Sequence, residues 1–293
     1  MEAVRSLTMA NRQRCSPETE AELVRLRVAE GQRLVEALGG GAITPCECED
    51  VFEGCSGLPE IAGKDLTVIA LASGLLYHGG LLVRGLYDTG QLRRLQAAAD
   101  IDQAGDSKTA GNLGCSAHTL FELLDIYQES GLLDALRNYL GGSPLLFGER
   151  AKLRRHERER DKFAAIPWHQ DAAFFGRKSY AVNCWAAVSS CGEDNPGLSI
   201  IPCRNGELRG WDPADGHAPL DYGRSLSAAA FDELVREYPP VDCVLQPGDA
   251  VIFDEMTAHQ TLARPWQREE QLVTISWFFR AAGFPEWGTP LAV

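Results

Sequence analysis

Apolar positions recur at helical spacing through the first half of the chain and give way to short strand-like runs after Leu145. The first dozen residues show no clear period and are expected to be mobile. Ser16-Pro17 reads as a helix start, with Ser as N-cap and Pro at the first helical position. Leu23, Leu26, Leu34 and Leu38 continue that helix until Gly39-Gly40-Gly41 stops it. Residues 42–64, rich in Gly, Pro, Cys and acids, read as an irregular connection, so the chain divides into 1–64 and 65–293. A helix is expected over 65–77, a short buried strand at Leu81-Leu82-Val83, and a helix capped by Asp88-Thr89 and carrying Leu92, Leu95 and Ala98. Residues 101–115 read as a loop, and helical spacing returns over 119–140. Strand-like runs follow at 180–188, 198–201, 241–245, 250–253 and 272–279. Helices first and strands after predict an α+β chain whose strands form a sandwich or barrel. Residues 206–240 interrupt the strands and are long enough to form a lid.

Charge narrows the partners. A formal charge of −13 argues against a nucleic-acid backbone or an anionic membrane. Two basic clusters run against it, 150–160 and Arg264 with Arg268; the first reads mainly as a solvated strand face. Nine cysteines and no secretory pattern at the N-terminus predict reduced thiols and a cytoplasmic protein. Cys46, Cys48 and Cys55 lack the paired spacing of a zinc ribbon and read as free thiols. The longest apolar run, 68–83, contains His78 and three glycines. It falls short of the roughly 20 residues a membrane helix needs.

The stretch with chemistry in it is Pro167-Trp168-His169-Gln170-Asp171. If it is extended, His169 and Asp171 point to one side and Trp168 and Gln170 to the other. His259, from a distant segment, would complete a set of two imidazoles and one carboxylate. Such a set covers one face of an octahedral metal and leaves three positions open, the pattern of non-haem Fe(II) oxygenases. The other histidines, His78, His118, His156 and His217, read as ordinary surface or hydrogen-bonded residues.

The blocks around this stretch fall in a particular order. Gly80-Leu81-Leu82-Val83-Arg84-Gly85-Leu86 comes first, then Trp168-His169-Gln170-Asp171 and Asn183-Cys184-Trp185-Ala186-Ala187-Val188. Glu193-Asp194-Asn195-Pro196-Gly197-Leu198-Ser199-Ile200-Ile201-Pro202 follows. Gln246-Pro247-Gly248-Asp249-Ala250-Val251-Ile252-Phe253 then ends six residues before His259. Over residues 75–280 this order resembles the phytanoyl-CoA dioxygenase family of Fe(II)/2-oxoglutarate oxygenases. The resemblance implies a double-stranded β-helix, a form of jelly roll, in 65–293 with the N-terminal helices packed on it. It implies His169, Asp171 and His259 as iron ligands, with Fe(II), 2-oxoglutarate and O₂ as cofactors and succinate and CO₂ as coproducts. Related halogenases carry a small residue where Asp171 stands, so hydroxylation or desaturation is favoured over halogenation. The family's cation for the distal carboxylate of 2-oxoglutarate lies roughly ten residues after the second histidine. Arg268 is the first choice there, with Arg264 and Arg280 as alternatives, although aligning on Ile275-Ser276-Trp277-Phe278 puts Leu272 at that position. Gln170, Trp185 and Thr261 are further candidates to line the site.

The expected substrate is a small molecule, with neither nucleic acid nor membrane as partner. A protein side-chain hydroxylase and a non-catalytic cupin-like binding protein are the competing readings. A zinc hydrolase fits less well, because HxD with a remote His is a poorer match than HExxH.

Overall fold

The computed structural model describes residues 2–14, 16–38, 48–104, 113–158, 166–176, 179–204, 206–209 and 225–293. Cys46, the triple-glycine stop, His217 and parts of the 101–115 and 206–240 stretches lie outside them. The helices are α1 (Glu2–Gln13), α2 (Pro17–Leu38), α3 (Val68–His78), α4 (Thr89–Ala104), α5 (Ala117–Glu129), α6 (Leu132–Leu140), α7 (Ala172–Phe175) and α8 (Ala228–Glu237). The strands are β1 (Glu60–Ala62), β2 (Gly80–Arg84), β3 (Leu145–Phe147), β4 (Lys152–Glu157), β5 (Ala181–Ala187), β6 (Gly197–Arg204), β7 (Val241–Cys243), β8 (Ala250–Asp254), β9 (Thr257–Leu262), β10 (Glu270–Phe279) and β11 (Pro290–Ala292).

Helix starts follow local chemistry. The side chains of Ser16, Thr67, Ser116 and Ser227 each accept the backbone N–H three residues on. Such a cap stabilises a helix by about 1 kcal/mol. Asp88 and Gln91 exchange side-chain and backbone bonds of 2.8 and 2.9 Å, a capping box for α4. Gly131, at φ +78°, divides the 119–140 run into α5 and α6. At Gly79 (φ +71°), which caps α3, a Cβ would meet the Cys203 carbonyl oxygen at 2.5 Å. The expectation of a mobile N-terminus fails, because α1 docks. Val4 is buried in the main core, and Arg12 pairs with Asp125 on α5. The 206–240 stretch is likewise not all loop, since α8 occupies part of it.

The strands form two sheets. The larger runs β1-β2-β8-β5-β10-β3-β11, with β4 also pairing to β10; the smaller is β7-β6-β9. Period-two alternation sorts the side chains of β5 between two layers. Val182, Cys184 and Ala186 enter a core shared with α3–α6, while Ala181, Trp185 and Ala187 enter the core that includes Leu198 and Ile200 of β6. The α+β reading holds, and the arrangement is a double-stranded β-helix with helices packed on the larger sheet. Helix α2 packs along β11, where the Arg27 guanidinium donates to the Ala292 carbonyl at 2.7 Å. No described helix is long and apolar enough to cross a membrane.

Candidate metal centre

His169 and His259 are brought together by the backbone. His169 N–H donates to the His259 carbonyl at 2.9 Å and His259 N–H donates back at 3.0 Å, so residues 166–169 extend the smaller sheet beyond β9. The imidazole centroids lie 4.2 Å apart. Each ring is oriented by a carbonyl two residues earlier. His169 Nδ1 meets the Pro167 oxygen at 2.7 Å, and His259 Nδ1 meets the Thr257 oxygen at 3.0 Å. A carbonyl only accepts, so each Nδ1 carries the proton and each Nε2 presents a lone pair. Both Nε2 atoms lie 3.5 Å from Asp171, one from each carboxylate oxygen. Ligand atoms of the three residues all fall within 4.8 Å of one another, and no other such group occurs among the described residues.

Asp171 reaches this point differently from the extended-strand expectation. Its backbone is helical (φ −66°, ψ −23°) and leads directly into α7. Ala172 N–H donates to the Glu255 carbonyl at 2.8 Å, which ties that turn to the end of β8. The three donors therefore converge through a bend after His169, not through strand alternation.

The electrostatics suit a cation. Burial works against a proton on His259, and the charge of His169 adds to it, pushing the pKa down to about 4. Burial also disfavours charge on His169, but its hydrogen bond to Asp171 and the Asp171 charge outweigh that and raise it. For Asp171 burial is opposed by His259, His169 and Arg150, which together hold it below the ordinary carboxylate range. One anionic and two imidazole donors, buried together, fit Fe(II). Phe253 lies 4.5 Å from the His259 ring and Phe174 5.7 Å from the His169 ring, shielding the group from water.

The ligands open into a cavity of about 290 Å³ between the two sheets. Thr261 and Leu198 line it from the smaller sheet; Asn183, Trp185, Phe253, Val273, Ile275 and Trp277 line it from the larger. Strand β4 closes one side with Lys152, Arg154 and His156, and Arg150 precedes them. The opposite face of β4 is tied elsewhere: Leu153 packs on the helical core and Arg155 bonds Gln103 of α4 at 2.8 Å. Burial, and then the charges of Arg150 and Arg154, push the Lys152 pKa down to about 8.

The remaining candidates from the sequence divide. Trp185 and Thr261 line the cavity. Gln170 is buried but turned away: it donates to Met256 (2.7 Å) and Glu207 (3.2 Å) carbonyls and accepts Arg209 N–H at 2.8 Å. Arg264, Arg268 and Arg280 are not in the lining. Arg264 pairs with Asp242 at 2.8 Å, Arg268 donates its backbone N–H to Asn195, and Arg280 covers the Tyr180 ring at 4.8 Å. The cavity-facing positions of β10 are Gln271, Val273, Ile275 and Trp277, none of them cationic. Sequence reasoning missed the cations of β4, set aside as a solvated face, and His156, read as ordinary. The signal was there in the alternation 150, 152, 154, 156. Cys48 and Cys55 are free thiols.

Two kinds of comparison bear on this site. The phytanoyl-CoA dioxygenase family model matches residues 123–264. Among solved structures, EctD from S. alaskensis with 2-oxoglutarate and 5-hydroxyectoine is 13% identical, at a TM-score of 0.54 over 82% of this chain and 84% of that one. The non-haem α-ketoglutarate-dependent carbocyclase SnoK from nogalamycin biosynthesis is 15% identical, at 0.52 over 81% and 100%. No curated protein matches the chain in sequence. At such identities the structural likeness shows the fold. Over residues 123–264, which hold His169, Asp171 and His259, the chain matches the model of the phytanoyl-CoA dioxygenase family.

Proposed function

We propose that the protein oxidises an unactivated C–H bond of a small molecule, by hydroxylation or desaturation, with succinate and CO₂ as coproducts. The observation that carries this reading is the convergence of His169, Asp171 and His259 on a cavity whose side wall is cationic. Bound iron with 2-oxoglutarate would supply O₂ activation. The chain's own residues do the rest. The two imidazoles and Asp171 hold the metal, and the phenyl rings of Phe174 and Phe253 keep water off it. Asp171 fills the position a halide would need, which argues against halogenation.

For the distal carboxylate of 2-oxoglutarate we assign the cation to Lys152 or Arg154, in place of Arg268. Both line the cavity, beside Ile275 and Val273 on β10, where a cation on β10 itself is lacking. Thr261, two residues beyond His259 on the same strand, offers a hydroxyl to the same group, and Trp185 an apolar wall. Anaerobic titration with Fe(II) and 2-oxoglutarate, followed by their visible charge-transfer band, tests the reading. Succinate release and product mass then define the reaction. Absence of Fe(II)-dependent 2-oxoglutarate binding would overturn it.

A further inference from the structure

We infer that the substrate oxidised here is an anion, a carboxylate or a phosphate monoester, and that Arg150 holds its charge at the metal end of the cavity. The inference rests on the oxygenase reading above and names the substrate class for that site. Its first support is a count of charge. Among the described residues Asp171 is the lone acidic side chain in the lining, against Arg150 and Lys152. A divalent metal and dianionic 2-oxoglutarate cancel each other, so the described lining stays positive when the cavity is loaded. The side chains of Arg150 and Lys152 have no hydrogen bond or ion pair with any described residue. The distal carboxylate of 2-oxoglutarate can neutralise one of them. At least one cation is left facing a partly enclosed, largely aromatic space, where an uncompensated charge is costly.

Sheet register says which one. Leu146 of β3 pairs with Phe278 and Lys152 of β4 with Ile275, so Arg150, in the turn between, sits at the level of Trp277. Trp277 pairs in turn with Asn183, and Asn183 with Phe253, the residue stacked near His259. Arg150 and Asp171 line the same cavity. Asn183 is a second polar group at this level. It is 4% exposed, lines the cavity, and its side-chain oxygen has no hydrogen-bond partner. The ligand that satisfies both has an anionic head for Arg150, a hydrogen-bond donor for Asn183, and an apolar body against Phe175 and Trp277.

The test uses the full chain loaded anaerobically with Fe(II) and 2-oxoglutarate, and three probes: 3-phenylpropanoate, its methyl ester and phenyl phosphate. Calorimetry should show single-site binding of at least one anion, at least about tenfold tighter than the ester, since a charge-assisted bond is worth roughly 1.5–3 kcal/mol. Whichever anion binds tighter distinguishes carboxylate from phosphate. Arg150→Gln should erase that preference, and Arg150→Lys, which keeps the charge, should retain most of it. Equal binding of acid and ester, no anion binding, or an undiminished preference in Arg150→Gln would each overturn the inference. So would a loss of 2-oxoglutarate affinity in Arg150→Gln, which would give that residue to the cosubstrate. Wild-type protein that fails to bind 2-oxoglutarate with Fe(II) would instead remove the oxygenase reading, and this inference with it.

Discussion

Strand β4 carries two kinds of positive charge three residues apart. On its outer face Arg155 is compensated by the protein: it pairs with Asp100 of α4, with Glu270 at 3.3 Å and with Gln103 at 2.8 Å. On its inner face Lys152, next to Arg150, finds no such partner among the described residues and opens onto the cavity. Both stretches look alike in a charge run. A charge the fold compensates is scaffold, whereas a charge left on a cavity wall is a place for a ligand. The metal wall opposite differs again, because there both histidines are fixed by backbone carbonyls before any ligand arrives.

The most damaging cut separates the metal wall from the cationic one. His259→Ala should reduce Fe(II) affinity by more than about 100-fold, since losing even an outer-shell partner of a metal ligand costs 10–100-fold. Turnover should stop, and the cationic wall should remain folded, as read by circular dichroism and metal titration. Full activity in that variant would remove the ligand set. Next, Lys152→Gln or Arg154→Gln should raise the apparent KM for 2-oxoglutarate by about ten- to a hundredfold, in keeping with a lost charge-assisted bond. Arg268→Ala and Arg264→Ala, outside the lining, should leave it within about twofold; a large effect there would return the role to the position sequence spacing favoured. If Lys152 is the residue that holds it, 2-oxoglutarate should also bind more weakly as pH rises through about 8, because burial and the neighbouring arginines lower the Lys152 pKa and its charge is lost on deprotonation. A flat profile in calorimetry from pH 7 to 9 would contradict that. Arg155→Ala should do least, costing about 0.5–1 kcal/mol of stability in denaturant titration with no change in KM, as for other partly exposed ion pairs. A changed KM in Arg155→Ala with none in Lys152→Gln would reverse the comparison between the two faces.

The fold and the metal set were largely legible in the sequence, for different reasons. Thr67, Asp88 and Ser116 write helix starts into local chemistry, and the apolar runs of β5, β8 and β10 are long enough to read. His169 and Asp171 were legible through the block order around them, although the bend at Asp171 that makes them converge was not. Strand β9 was harder. Thr257, His259, Gln260 and Thr261 have no apolar alternation, and their strand character comes from pairing with β6. Helix α1 is polar and gains its order from docking Val4 and Arg12. The cations at 150, 152 and 154 show period two, but which face of a strand meets a cavity depends on pairing with β10. That pairing spans more than a hundred residues of sequence.

Each histidine ligand takes its orientation from a carbonyl inside its own three-residue piece, Pro167–His169 or Thr257–His259. Neither Nδ1 hydrogen bond involves another side chain. On the function proposed above, the two imidazoles are thereby aimed without help from the side chains that would read the substrate. On that reading, mutation of Arg150, Asn183 or Trp185 would exchange one clientele for another while the two imidazoles keep their aim. Modularity of that kind lets one scaffold diversify its chemistry by local edits.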